Sequence, residues 1–176
     1  SAITIFDKMP SYLQPDELMQ PTTLTAGDRV LAKFYDQNRS PVTFEQIAPV
    51  MYDAVLSSED PRYYQHGGVD LIGTTRALLN NAASGETQGG SSISQQYVKN
   101  VLVQRCERDA KAVEPTETDP IGKTRDEALI ECASAAVQAE GAEGYQRKLQ
   151  EMRYAIQLEK EYSKNEILLG YLNIAN

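Results

Sequence analysis

Two adjacent carboxylates, Glu59 and Asp60, close a run of apolar residues at helical spacing and lead at once into an aromatic, histidine and glycine turn, Tyr63 to Gly68. A helix C-terminus carries the negative end of the backbone dipole and disfavours carboxylates by about 0.3–1 kcal/mol, so helix stability does not select them. They are either solvated end charges or part of a reacting centre. A second group is Gly89, Gly90, Ser91, Ser92 and Ser94, followed by Gln95, Gln96, Lys99 and Asn100. Glycines let backbone N–H groups approach an anion, a helix start offers unpaired donors, and three hydroxyls add to them. The plain alternative is a flexible loop with an N-cap, and a solvated Lys99. Arg147, Lys148 and Glu151 stand at i, i+4 and i+3 spacing, so two cations and a carboxylate share one helix face. That is either a surface ion-pair set or a cationic clamp beside a second carboxylate. One carboxylate acting as base, with cations for a departing phosphate, is what glycosyl transfer from an anionic leaving group requires. His66 reads more simply as a turn residue bonded to backbone, and Cys106 has no recognisable base.

The elements that must position these groups are mostly helical. Residues 1–21 carry Pro10, Pro15 and Pro21 with little periodicity and read as an extended lead-in. Thr22 to Leu24 and Arg29 to Tyr35 favour β structure and form a candidate hairpin. Thr43 with Gln46 can make a capping box, after which Ile47, Val50, Met51, Ala54 and Val55 predict a buried face on a helix that ends near Ser58 and is stopped by Pro61. A helix opens at Asp70 with Leu71, Ile72, Thr75, Leu78 and Leu79 as its apolar side. The glycine-rich break at 84–90 ends in Ser91 or Ser92 as N-cap of the next helix, whose apolar side is Val98, Val101 and Leu102. Residues from about 103 to 144 are acidic, alanine-rich and poor in bulky apolar side chains, and read as an insertion with a weak helix over 124–139. Tyr145 to Tyr162 is a strong helix, and Ser163 with Glu166 caps the last one, which carries Ile167, Leu168, Tyr171 and Leu172.

The 176 residues are enough for one domain with a real core, and no stretch approaches the roughly 20 apolar residues of a membrane span. With 25 acidic against 17 basic residues and a net charge of -8, a nucleic-acid groove is not expected, because phosphate binding needs surplus Lys and Arg. One histidine and two cysteines without close pairing make no zinc site. Cys106 and Cys132 are either a disulfide or two buried thiols. The chain opens on a serine without a signal-peptide pattern, so it is either cytosolic or has had a targeting segment removed.

Four of these stretches, in order, resemble the motifs of the peptidoglycan glycosyltransferase domain of class A penicillin-binding proteins, glycosyltransferase family 51. The first, Glu-Asp-x-x-Phe-x-x-His-x-Gly, is met by Glu59, Asp60, His66 and Gly68, with Tyr63 at the phenylalanine. The second, Gly-Gly-Ser-Thr-x-Thr-Gln-Gln-x-x-Lys-Asn, is met by Gly89, Gly90, Ser91, Gln95, Gln96, Lys99 and Asn100, with Ser92 and Ser94 keeping the threonine hydroxyls. The third is Arg147, Lys148 and Glu151, and the fourth is Ile167, Leu168, Tyr171, Leu172 and Asn173. The long insertion resembles an actinobacterial-type variant. Family members continue past the fourth motif into further helices and a fifth, arginine-bearing motif, so a C-terminally truncated domain over 22–176 is expected.

The resemblance implies a mainly α, lysozyme-like fold with a small β-hairpin near the N-terminus, placed at the outer face of the cell membrane. It implies a transmembrane anchor before Ser1 and a penicillin-binding transpeptidase domain in the parent chain. Its reaction is transfer from a nascent glycan strand on a polyprenyl pyrophosphate to the 4-hydroxyl of lipid II, with inversion. By the same resemblance Glu59 is the base; Lys99, Arg147 and Lys148 hold the pyrophosphate; and Glu151 orders the cations or acceptor. The remaining motif residues, Asp60, His66, Gly89, Gly90, Ser91, Ser92, Ser94, Gln95, Gln96, Asn100, Tyr171 and Asn173, are then expected to bind substrate. No cofactor is obligatory, although a divalent cation such as Mg2+ could assist departure. An extracellular location permits a Cys106–Cys132 disulfide that staples the insertion. Two competing readings are a peptidoglycan hydrolase or lytic enzyme, which shares the carboxylate chemistry, and a lipid II binding module without turnover.

Overall fold

The computed structural model describes residue 13 and residues 22–26, 29–34, 40–84, 89–116, 121–138 and 141–174. Its architecture is mainly α. Two short strands, β1 (Thr22–Ala26) and β2 (Arg29–Phe34), run antiparallel, with Leu24 opposite Ala32. The helices are α1 (Pro49–Glu59), α2 (Leu71–Ser84), α3 (Ile93–Asp109), α4 (Arg125–Val137), α5 (Gly141–Glu161) and α6 (Lys164–Ile174). Apart from Leu13, the lead-in over 1–21 lies outside the described residues. Leu13 is buried, and its N–H donates to the Gln157 side-chain carbonyl at 2.9 Å.

The hub is α3, which packs against α4, α5 and α6. Its buried Ser94, Val98 and Val101 recur at helical spacing, and Val98 and Val101 join Ala155, Leu158, Ile167 and Leu168 in the core. Each fully buried aliphatic side chain contributes about 1.5–3 kcal/mol. Gly170 lets α6 approach α3 closely, because a Cβ there would lie 2.4 Å from the Tyr97 hydroxyl.

Helix starts follow local chemistry. Ser92 caps α3, accepting from the Gln95 N–H at 3.2 Å, while Gln95 Oε1 accepts from the Ser92 N–H at 3.1 Å. Thr124 with Glu127 repeats the device on α4, and Ser163 with Glu166 on α6. Two boundaries differ from the sequence expectation. The helix expected to run on from Thr43 is a single 3-10 turn, Phe44–Gln46, followed by α1, which opens at Pro49, where a missing N–H costs nothing. The helix expected from Tyr145 already starts at Gly141.

Two faces are also corrected. Val50 and Met51 are 72% and 50% exposed, and Leu71 and Ile72 are 72% and 69% exposed, so none of them is core. On α1 the anchor is instead Tyr52, whose ring stacks on Phe44 at 4.3 Å and whose hydroxyl donates to the Phe44 carbonyl. That turns Tyr52, Val55 and Leu56 inward and swings Val50 and Met51 out. On α2 the first turn is fixed by Asp70, which accepts from the Gly73 N–H at 2.9 Å and is paired with Arg62, leaving Leu71 and Ile72 outward.

Within the stretch 103–144, the first residues continue α3 to Asp109, Val113 bridges to Lys123, and α4 follows. A Cys106–Cys132 disulfide joins α3 to α4, with Cα atoms 5.6 Å apart. Closing a loop of this length contributes roughly 3–4 kcal/mol in the chain-entropy account.

Candidate active site

The C-terminus of α1, the turn after it and the starts of α2 and α3 enclose a cavity of about 590 Å³. Glu59, the last residue of α1, is exposed to it. One of its oxygens accepts from Gln96 Nε2 at 3.1 Å. Gln96 Oε1 in turn accepts from the Tyr171 hydroxyl at 3.1 Å, which fixes the way the amide faces. Burial, and then the nearby Glu59 charge, push the Tyr171 phenol above its ordinary range, so it stays a neutral donor.

Asp60 differs from its neighbour. It is 3% exposed, and its carboxylate meets His66 Nε2 at 2.9 Å and accepts from the Ile93 N–H at 3.0 Å. The positive end of the α3 dipole favours a carboxylate there. Asp60 and His66 therefore clamp the turn after α1 onto the start of α3 and set the direction in which Glu59 leaves the backbone. Arg62 and Asp70 brace the same turn from the α2 side, with Arg62 Nε 3.1 Å from Asp70. Burial works against its charge, but the Gly73 N–H and the Arg62 guanidinium hold the Asp70 carboxyl below its usual value.

The three serines of the glycine–serine run divide their work. Ser91 lines the cavity and its Oγ meets Lys148 Nζ at 2.5 Å. Ser92 lines it too, but its Oγ is committed to capping α3 and to the Gly68 carbonyl at 2.5 Å. Ser94 faces the interior and donates to Glu159, which also pairs with Lys164 at 2.6 Å. Gln95 is fully buried, between the Ser92 backbone and Glu151.

On α5, Glu151 is 3% exposed and carries a cation on each oxygen, Arg147 at 2.6 Å and Lys148. A buried carboxylate with two cations is costly to break, because removing one partner leaves charge uncompensated. Lys148 is the link between this group and the cavity, through Ser91.

Of the sequence candidates, the cavity wall thus gathers Glu59, Asp60, Gly89, Gly90, Ser91, Ser92, Gln96 and Lys99. His66, Ser94, Gln95, Asn100, Arg147, Glu151, Tyr171 and Asn173 are not among the residues that line it. Asn173 is bonded to both backbone groups of Val42, at 2.8 and 3.0 Å. Arg76 on α2 also lines the cavity, together with Gly73 and Asp70, and sequence reasoning passed over it. Its signal was the three-residue spacing of Asp70, Gly73 and Arg76, which puts a carboxylate, a gap and a cation along one face. Among the described residues no group of three or more His, Cys, Asp or Glu could hold a metal ion. Asp60 has committed its carboxylate to His66 and Ile93, and Asp70 to Arg62 and Gly73, so these carboxylates do not fit a divalent cation as ligands.

The sequence model of the transglycosylase family matches residues 27–119 and 131–176. Penicillin-binding protein 1F of Bacillus subtilis (strain 168) is 31% identical over 148 residues, which are 84% of this chain and 16% of that protein. Penicillin-binding protein 1A of Mycobacterium tuberculosis (strain ATCC 25618 / H37Rv) is 31% identical over 158 residues, 88% of this chain and 15% of that protein. A monofunctional glycosyltransferase of Staphylococcus aureus (strain JH9) is 32% identical over 132 residues, 75% of this chain and 36% of that protein. The chain spans well under half the length of these curated relatives, and no solved structure matches it. The matched segments contain α1, α2 and α3, which wall the cavity, and α5 and α6, which supply Lys148 and Tyr171 behind it; the chain belongs to the transglycosylase family.

Proposed function

We propose that this chain is the catalytic part of a peptidoglycan glycosyltransferase, which transfers a glycan from a polyprenyl pyrophosphate to the 4-hydroxyl of lipid II. Glu59 takes the hydroxyl proton as the oxygen attacks the anomeric carbon, and the pyrophosphate leaves with the bonding electron pair and inversion of configuration. Lys99, Arg76 and Lys148 attract the departing anion, since charge-assisted hydrogen bonds to phosphate are about twice as strong as neutral ones. Glu151 is a positioning residue that orders Lys148 and Arg147, and Gln96 and Tyr171 orient Glu59. The observation that carries the reading is a single cavity with Glu59 and Lys99 on its wall and Lys148 bonded to its Ser91.

The same reading takes residues 22–176 as a glycosyltransferase domain of lysozyme-like fold with a small N-terminal hairpin, preceded by a lead-in over 1–21 and interrupted at about 103–144. It places the domain at the extracellular face of the cell membrane, with an anchor and a transpeptidase domain in the parent chain. Two relatives bear the name penicillin-binding protein, and the disulfide is a bond of oxidising compartments; both support that placement.

The test is Glu59→Gln in the full-length protein, with labelled lipid II. Loss of one positioned base lowers the rate by about 10²–10⁴, and lipid II binding stays within a few-fold because the shape is kept. Wild-type polymerisation by the Gln variant would end the assignment, and hydrolysis of finished glycan strands by the unsubstituted protein would move it to a lytic enzyme.

A further inference from the structure

The segment stapled by the disulfide does something the reading above leaves out. α4 has no buried side chain. A cavity of about 590 Å³, lined by Leu102, Cys106, Ala128, Cys132, Ala136 and Tyr154, lies between it and helices α3 and α5. Apolar packing therefore does little to place α4. The Cys106–Cys132 bond fixes it to α3, and Arg125 adds a hydrogen bond to the Glu107 carbonyl at 2.9 Å.

The chain leaves α4 at Gln138, whose backbone carbonyl accepts from Arg147 Nε. The same guanidinium donates through one terminal nitrogen to Glu151 at 2.6 Å. A guanidinium is a planar, rigid fork, so an acceptor held on Nε sets the plane in which the other nitrogens must lie. Gln138 follows Cys132 by only roughly 9 Å of helix at 1.5 Å per residue, so the staple and the carbonyl move together.

We propose that the Cys106–Cys132 disulfide is a positioning element for the Arg147–Glu151 pair. It fixes α4, α4 presents the Gln138 carbonyl, and the carbonyl orients the guanidinium on Glu151. Because Glu151 holds Lys148 on its other oxygen, and Lys148 reaches Ser91 in the cavity wall, the orientation of Arg147 also decides where Lys148 stands behind that wall. What that cation then holds, a lipid-linked pyrophosphate, rests on the proposed function.

The first arm of the test does not depend on that function. In protein labelled with ¹⁵N-arginine, the Arg147 Nε–H signal, assigned by its disappearance in Arg147→Lys, is slow to exchange while the disulfide is intact. Reduction with dithiothreitol shifts it and speeds its exchange; an unchanged signal overturns the proposal. An extra alanine inserted after Val137 turns the Gln138 carbonyl away with the disulfide intact. It gives the same loss of protection, so the answer does not hang on the reduced protein staying folded. An unchanged signal there overturns the proposal as well.

The second arm measures lipid II affinity in the full-length protein. Reduction weakens it about tenfold, the worth of one well-aligned hydrogen bond. Arg147→Lys shows the same loss when oxidised, and no further loss on reduction. A further, equal loss in that background means that the disulfide acts only on general stability and overturns the positioning role. Absence of lipid II binding by the oxidised wild type counts against the proposed function, while the Nε–H signal still decides the role of the disulfide.

Discussion

Gly68 has φ +89°, a conformation that strains any L side chain, and a Cβ there would lie 2.6 Å from the Ala155 carbonyl carbon and oxygen. The turn after α1 thus rests directly on the backbone of α5. Gly68→Ala is expected to cost at least about 2 kcal/mol, from backbone strain and overpacking together. Gly67→Ala, with open space around its Cβ, is expected to stay within about 0.5 kcal/mol. Urea unfolding of the two variants side by side checks both, and equal costs would contradict this geometry. In the sequence the motif picks out Gly68 rather than Gly67 without naming what it touches, and the three serines at 91, 92 and 94 are all expected to bind substrate. Residue types showed that a backbone turn and hydroxyls were needed. That Gly68 touches α5, and that Ser94 turns inward to Glu159, depends on partners far along the chain that no local pattern names. Glu59 and Asp60 make the same point. As neighbours they read as a pair, yet one is exposed to the cavity and the other is held between His66 and the start of α3.

The starts of α3, α4 and α6 rest on short-range chemistry, a Ser or Thr and a Glu or Gln three residues on that satisfy each other's backbone donors, whereas the same signal at Thr43 caps only a 3-10 turn. Helix faces were less legible. Periodicity shows that a helix has an apolar side, but α1 takes its orientation from Tyr52 against Phe44, and α2 from the Arg62–Asp70 pair, so Val50, Met51, Leu71 and Ile72 point outward. The caps carry a pH dependence of known sign. Hydrogen bonds from Thr124 hold the Glu127 carboxyl below its ordinary value of 4.5, and those from Ser163 do the same for Glu166. With the folded values depressed, the contribution is present above pH 4.5 and is lost as pH falls through the folded values, where the unfolded chain already binds more protons. Helix content and melting temperature should therefore fall below pH 4.5, and less steeply in a Thr124→Ala, Ser163→Ala variant. Parallel acid profiles for the two proteins would remove the caps from the explanation.

Over the whole molecule, burial acts on tyrosines at several packed surfaces. It pushes the Tyr63 phenol well above its ordinary value of 10 and the Tyr97 phenol to about 12. Tyr171 is raised as well. Past pH 10 the unfolded chain has lost phenolic protons that the folded one keeps, so stability should drop as pH rises toward the folded values. Melting temperatures followed together with phenolate absorbance check this, and a profile that stays flat across that range would contradict it. The central place of α3 has a further consequence, in the order of synthesis. Its packing partners α4, α5 and α6 all come later in the chain, so at about 5–20 residues per second its apolar side leaves the ribosome several seconds before Ile167 and Leu168 arrive to cover it. During that interval Val98 and Val101 are a nascent, uncovered surface, and a chaperone that holds the chain open has its natural target there.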